Sequence, residues 1–227
     1  MIPVLLPLWL LLSLMFFLSL FRILRFPWVH RGEELFFSAS CALGFMSSAT
    51  MILGLFGQTR IHSLYAAAAA TGIAAVPLLL AARRVPAPPP VSAPRVYALC
   101  AASLLLLPLI WLPPFFYDTL HYHYGLPSMF LRSGFTRPLP WFVESHFPLA
   151  VEMLSLTGMA DASHIGANLA NLVFLAICCL GILCLADRLG CRRAGLIGMP
   201  LFLFSSTSIH TLFLQKNDLG VALFFFA

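Results

Sequence analysis

The sequence predicts an all-α fold in which about seven helices cross a lipid bilayer. Of the 227 residues, 61% are apolar and only 9% are charged, whereas an ordinary soluble domain carries roughly 25% charged residues. The apolar residues form runs long enough for transmembrane helices, each of which needs about 20 of them. This composition excludes a soluble globular chain, and it excludes a disordered one because disorder requires low hydrophobicity and high charge.

Each predicted span is one of these apolar runs, and the seventh is incomplete. The first run lacks a basic start and a small-residue cleavage site, so it is interpreted as a retained span and not as a signal peptide. The last run reaches Ala227 after about half the length of a crossing, which suggests an N-terminal fragment or a truncated gene product. The runs cover residues 3–21, 35–56, 61–82, 96–113, 164–186, 194–214 and 218–227.

The arginines predict how the spans are oriented. Nine of them follow spans 1, 3 and 5, and only four basic residues fall on the opposite side. Because Lys and Arg accumulate in cytoplasmic loops, the N-terminus and the loop of residues 114–163 are predicted to lie outside the inner cell membrane. No basic cluster is long enough for a nucleic-acid partner. The nine are Arg22, Arg25, Arg31, Arg83, Arg84, Arg95, Arg188, Arg192 and Arg193, and the four are Arg60, Arg132, Arg137 and Lys216.

A proline-rich stretch at residues 86–95 divides the chain. It contains five prolines, so it is predicted to be a stiff, non-helical cytoplasmic linker. Residues 1–85 would then form a three-span N-terminal unit, and residues 96–227 a membrane core that is truncated at its C-terminus. The six cysteines have neither metal-site nor disulfide-framework spacing, and they are interpreted as buried thiols.

The loop of residues 114–163 is the candidate functional region. It holds four of the eight acidic residues and three of the seven histidines, and its many aromatic side chains favour a position on the membrane interface. A connection of this length is more often functional than idle. Two short helices are predicted in it, one at about 119–132 with Asp118 as N-cap and Gly134 at its end, and one at about 148–159.

Asp118 is the candidate catalytic residue. A carboxylate at the outer end of a span, beside aromatic groups that exclude water, can act as a general base near a lipid-borne substrate. The alternative is that Asp118 only caps a helix, and the two roles can coexist.

Other polar residues in and beside the loop are candidate substrate-binding groups. The alternative for each is a polar side chain that simply faces water. On a helix, His121 and His123 would diverge by about 200°, so hydrogen bonding to substrate is favoured over a shared metal ion. His146 precedes a predicted helix N-terminus, where anions bind. Lys216, in the polar turn between spans 6 and 7, suits a phosphate. The candidate set is His121, Tyr122, Arg137, Glu144, His146, Glu152, Lys216 and Asp218.

The segment Tyr117–Pro127, with the sequence YDTLHYHYGLP, resembles the first outward loop of the GT-C membrane glycosyltransferases. These enzymes use polyprenyl-phosphate-linked sugars and are related to the protein mannosyltransferases and aminoarabinose transferases. The stretch 145–149 with Glu152 is similar to the entry of that loop's second helix, and the step 216–218 to a polar turn two spans later. The resemblance covers roughly residues 96–227.

The resemblance implies that Asp118 removes a proton from an acceptor hydroxyl. A sugar would then move, with inversion, from a polyprenyl-phosphate donor to a lipid, glycan or protein acceptor in the bilayer. Many relatives carry a second acidic residue where this chain has Thr119, so no cofactor is firmly implied, and a divalent cation is left open. Two other classes are weighed: a transporter, disfavoured because spans 5 and 6 lack acidic residues at their centres, and a non-enzymatic membrane protein or inactive fragment.

Overall fold

The computed structural model describes residues 2–90, 93–147, 149–214 and 216–227. In these ranges the protein is helical and contains no β-strand, so the predicted all-α class is confirmed. The α-helices are α1 (Leu5–Ile23), α2 (Arg31–Leu55), α3 (Ile61–Ala82), α4 (Ala93–Leu106), α5 (Gly125–Ser133), α6 (Ala150–Ala162), α7 (His164–Arg188), α8 (Arg192–Leu203), α9 (Ser206–Phe213) and α10 (Asp218–Phe226).

Four helices, α1, α2, α3 and α7, are long and apolar enough to cross a membrane. A fifth crossing results if α8 and α9, bent by 52° at their junction, count as one span. The described residues therefore support four or five spans and not the predicted seven. Prolines explain part of the difference, because Pro108 lies in a short 3₁₀ turn that ends α4 and Pro200 lies in the last turns of α8. The seventh run forms only the nine residues of α10.

The central element of the bundle is α7. Within its most apolar stretch 72% of the residues are buried, against 22% for α1 and for α3. It packs against α2, α6, α8 and α10, while α1 packs on α2 and α3. Large apolar side chains cover the outer surface, as expected for helices that face lipid; examples are Ile52, Ile73, Leu104, Leu105 and Leu201.

The chain path gives the bundle two distinct ends. At the first, which we call the loop end, residues 112–163 pack beside the α2–α3 turn. The Thr136 N–H donates to the Gly54 carbonyl at 3.0 Å, and the Thr59 hydroxyl donates to the Phe130 carbonyl at 2.9 Å. Near the N-terminus, Asp161 Oδ2 accepts the Leu5 N–H at 2.6 Å. These contacts fix the loop against the helix ends and determine where its polar groups lie.

At the opposite end, which we call the arginine end, the α1–α2, α3–α4 and α7–α8 connections meet. Arg22 contacts Glu34 of α2, and Arg188 contacts Glu33 of α2. The Arg31 N–H donates to the Pro89 carbonyl at 2.8 Å. Arg22 at the end of α1, Arg31 at the start of α2 and Arg188 at the end of α7 therefore lie at one end of the bundle, as their alternation along the sequence predicted.

The first predicted loop helix is divided into two parts. Residues 119–123 form one π-helical turn, closed by the Tyr124 N–H donating to the Thr119 carbonyl at 2.7 Å, and α5 follows. Pro127 has no N–H to offer the carbonyl four residues earlier, which disfavours a continuous α-helix. At Gly125 a Cβ would collide with the Leu120 carbonyl, so only glycine fits this close turn.

The ends of the loop helices agree with the sequence in part. Gly134 ends α5 in the left-handed conformation, with φ of +81°, as predicted. Asp118 stands at the N-cap position of the π turn, but its side chain makes no capping hydrogen bond. The second predicted helix is α6, which begins at Ala150, and Pro148 lies outside the described residues.

Candidate functional site

The π-helical turn directs neighbouring side chains to partners on three different segments. Asp118 stands just before this turn, and His121 and His123 lie within it. In agreement with the predicted divergence, His121 and His123 point to different carboxylates. The three pairs are Asp118 with Lys216, His121 with Glu144, and His123 with Glu152.

Asp118 and Lys216 form the most accessible pair. Lys216 Nζ lies 4.0 Å from Asp118 Oδ2, and the two side chains are 30% and 44% exposed. The ammonium also lies 5.2 Å from the centre of the Phe116 ring, within cation–π range. The hydroxyl of Thr119 donates to the Leu214 carbonyl and ties the two segments together. The separation is too long for a direct hydrogen bond, so both groups are available to a ligand.

His121 is held in a stack of aromatic rings. Its ring lies 4.7 Å from that of Phe142 and 5.2 Å from that of Tyr117, with interplanar angles of 25° and 12°. Nε2 is 3.8 Å from Glu144 Oε1, and both side chains are partly exposed. Ser145 supports the stack, because its hydroxyl donates to the Phe142 carbonyl at 2.6 Å. The stack fixes the plane of the imidazole and leaves its edge beside a carboxylate.

His123 and Glu152 form a buried pair. His123 Nδ1 lies 3.0 Å from Glu152 Oε1, and the side chains are only 4% and 3% exposed. The second carboxylate oxygen, Glu152 Oε2, is buried and has no hydrogen-bond partner among the described residues. Buried polar atoms are normally paired, so this oxygen can accept a hydrogen bond from a ligand.

Glu152 also lines a cavity of about 390 Å³ beside α10. Asn217 is the other polar residue of its wall, and the remaining side chains are apolar: Ala150, Val151, Val221, Phe224 and Phe225. Asn217 directly follows Lys216 in the chain, although neither Lys216 nor Asp118 lines the cavity. A cavity with an apolar wall and a single carboxylate suits an amphiphilic molecule.

Tyr122 joins these pairs into one site. Its ring packs on that of His123, with the centres 3.8 Å apart. Burial raises the pKa of its phenol, and so do the negative charges of nearby carboxylates. Those carboxylates, in decreasing order of effect, are Glu152, Asp118, Asp218 and Glu144. Four acidic groups from separate segments of the chain therefore lie near the Tyr122 phenol.

The structure brings most of the predicted residues together. Asp118, His121, Tyr122, Glu144, Glu152, Lys216 and Asp218 surround the π turn. Arg137 lies elsewhere on the loop, its guanidinium 4.2 Å from the centre of the Phe135 ring. His146 is exposed at the end of the 3₁₀ turn Val143–His146.

Two contributors were absent from the predicted set. His123 is the buried partner of Glu152, and Asn217 lines the cavity beside α10. The predicted divergence of the two histidines was a usable signal for His123, because a histidine that faces the core requires a polar partner. No group of three or more His, Cys, Asp or Glu side chains with metal-binding geometry occurs in the described part of the chain.

No protein-family model, curated protein or solved structure matches this chain. The function is therefore inferred from the geometry of the site and from the residues that compose it.

Proposed function

We propose that the protein is a membrane glycosyltransferase that moves a sugar from a polyprenyl-phosphate donor to an acceptor hydroxyl. The observation that carries the proposal is the pairing of Asp118 with Lys216 at the loop end. A carboxylate and an ammonium from separate connections stand 4.0 Å apart, partly exposed and without a direct hydrogen bond. Transfer from a phosphate-linked donor needs both a base for the acceptor and a cation for the phosphate.

The two groups have complementary roles in sugar transfer. Asp118 takes the proton of the acceptor hydroxyl while its oxygen attacks the anomeric carbon of the donor sugar. The bond between that carbon and the phosphate oxygen breaks on the opposite face, so the configuration inverts. The leaving polyprenyl phosphate gains negative charge, which the Lys216 ammonium stabilises.

The surrounding groups suit an amphiphilic donor and a sugar. The cavity beside α10 offers apolar side chains for an isoprenoid chain, and Glu152 Oε2 lacks a partner that a sugar hydroxyl would supply. The edge of His121 and the carboxylate of Glu144 can bind further hydroxyls. In this proposal the loop end, with its exposed Arg137 and His146, faces the outside of the inner cell membrane.

The first test is the Asp118→Asn substitution in protein reconstituted into liposomes, supplied with a panel of labelled polyprenyl-phosphate sugars. Transfer should fall by about 10²- to 10⁴-fold, the usual contribution of a general base, while the unfolding midpoint stays unchanged. The matched control is Asp161→Asn. The Asp161 carboxylate accepts the Val4 and Leu5 N–H groups, so this variant should lose stability and keep its transfer rate per folded molecule. Full transfer by folded Asp118→Asn would remove this residue from the mechanism.

A second test addresses the phosphate. The Lys216→Gln substitution should raise the KM for the donor about tenfold, because one charge-assisted contact is lost. Arg137→Gln should have a smaller effect, since that guanidinium lies over Phe135. If neither substitution changes donor affinity, the assignment of the phosphate site is wrong.

The orientation can be tested by thiol labelling of intact cells. Cys191 is exposed at the arginine end and supplies an internal reference. An impermeant maleimide added from outside should modify an Asp118→Cys variant and leave Cys191 unmodified until the membrane is opened. Labelling of position 118 only from the cytoplasmic side would contradict the proposal.

A further inference from the structure

The arginine end contains a cavity that the proposed reaction does not use. It measures about 430 Å³ and lies between the end of α1 and the proline-rich segment that follows α3. Two guanidinium groups and an indole line it, together with Pro86 and Pro88. Among the residues that the structure describes, no carboxylate lines it. A cavity with basic donors and no acidic lining residue selects for an anion.

Three side chains provide N–H donors around this cavity. Arg22 uses Nε and one terminal nitrogen on Glu34, at 2.6 and 3.0 Å, so its other terminal nitrogen is not engaged in that pair. Arg25 has no ion-pair partner in the described part of the chain. The Nε1–H of Trp28 is buried and has no acceptor among the described residues. A phosphate group presents several oxygens that can accept from such donors.

The backbone holds Arg25 in a conformation that favours glycine. At the end of α1 the Phe26 N–H donates to the Phe21 carbonyl at 3.2 Å, and the Arg25 N–H to the Arg22 carbonyl at 3.0 Å. This is the Schellman arrangement, in which the residue at the Arg25 position is usually glycine. Arg25 has φ of +54°. A long cationic side chain kept at a strained position, on the wall of a cavity, points to a function for that side chain.

Aromatic packing makes this turn rigid. The Phe21 and Phe26 rings lie 5.0 Å apart, and the Trp28 ring stacks on Phe26 at 5.4 Å and on Phe37 of α2 at 5.2 Å. The Trp28 indole is therefore held between two rings before a ligand arrives, which lowers the entropy cost of binding at this donor.

We infer that this cavity binds the phosphate group of an anionic phospholipid, with Arg25 as the main contact. The residues around the turn favour a lipid over free phosphate, because Leu24, Phe26 and Val29 expose apolar side chains there. Tryptophan and other aromatic residues are characteristic of the headgroup level of a bilayer. The acyl chains pack on this apolar surface while the headgroup enters the cavity.

The test compares three additives on the purified full chain in a neutral detergent: phosphatidylglycerol, phosphatidylcholine and inorganic phosphate. Phosphatidylglycerol should raise the unfolding midpoint, and native mass spectrometry should detect it bound to the protein. Phosphatidylcholine and inorganic phosphate at equal concentration should have little effect. Stabilisation by inorganic phosphate alone would show a free-anion site and overturn the lipid assignment. Equal stabilisation by phosphatidylglycerol and phosphatidylcholine would also overturn it.

The Arg25→Gly substitution separates binding from folding. Glycine suits the left-handed position, so the variant should be at least as stable as the parent without lipid, while its affinity for phosphatidylglycerol falls about fivefold or more. Arg193→Gln is the matched control, since it removes an exposed arginine at the same end outside the cavity. Unchanged affinity in Arg25→Gly, or an equal loss in Arg193→Gln, would contradict the proposed site.

Discussion

Two ion pairs, Arg22–Glu34 at the arginine end and Asp118–Lys216 at the loop end, use charge in different ways. At the arginine end, Glu34 is 1% exposed and Arg22 reaches it with two hydrogen bonds, of 2.6 and 3.0 Å. At the loop end, Asp118 is 44% exposed and stands 4.0 Å from Lys216. Short two-point contacts to buried groups hold helices together, whereas a loose and accessible pair contributes little to stability. The difference indicates that the charges of Asp118 and Lys216 are available for chemistry.

Helix architecture accounts for much of the arginine end. His30 caps α2, with Nδ1 accepting the Glu33 N–H at 3.3 Å. The carboxylates of Glu33 and Glu34 lie in the first turn of that helix, where its dipole favours negative charge. At the loop end, the side chain of Asp118 makes no capping hydrogen bond, so local helix structure does not explain its position.

The largest stability effect is expected at the buried His123–Glu152 pair of the loop end. The His123→Ala substitution would leave the Glu152 carboxyl buried without its partner, at a cost of about 3 kcal/mol. The midpoint of thermal unfolding in detergent measures this loss. Adding Glu152→Leu to His123→Ala should restore part of the stability, because no buried polar group is then left unpaired. If the double variant is no more stable than His123→Ala, the pair is not the source of the loss.

A smaller effect should distinguish the two ends directly. The Arg22→Gln substitution strands the buried carboxylate of Glu34 and should cost about 2 kcal/mol. Lys216→Gln removes a cation at the loop end and should change the unfolding free energy by less than about 0.5 kcal/mol. Both variants are compared by the same unfolding measurement. Equal losses in the two would mean that the loop-end pair is structural as well.

The fold was largely predictable because its signal is the hydrophobicity of long apolar runs. The ends of α2, α3 and α7 follow the boundaries of those runs to within a few residues. The number of spans was not predictable in the same way. Apolar content does not reveal that α4 ends in a 3₁₀ turn, or that α8 and α9 meet at an angle of 52°.

The candidate site was predictable in its composition and not in its pairings. Asp118 and Lys216 lie 98 positions apart, and only the tertiary packing of α9 and α10 beside the loop brings them together. The partners of His121 and His123 depend on a π-helical turn, for which the sequence has no strong pattern beyond Gly125. The long-range pairing and the unusual local turn could therefore not be predicted from the sequence.

The smallest effect concerns Tyr122 and appears only at alkaline pH. Burial raises the pKa of its phenol most, and the negative charges of nearby carboxylates raise it further. The ordinary pKa of tyrosine is about 10. Above that pH the unfolded chain loses the proton more readily than the folded one, so stability should decline as the pH rises through the folded pKa. Below about pH 10 this phenol should contribute no pH dependence.

Unfolding midpoints measured between about pH 9 and 11 would sharpen the comparison of the two ends. Tyr122→Phe should reduce the alkaline decline because the titrating group is gone. Tyr117→Phe, at a ring that is 71% exposed, is the matched control and should retain the decline that Tyr122 causes. An unchanged decline in Tyr122→Phe would mean that the carboxylates of the loop end do not act on this phenol. The carboxylates near Tyr122 would then not distinguish the loop end from the arginine end.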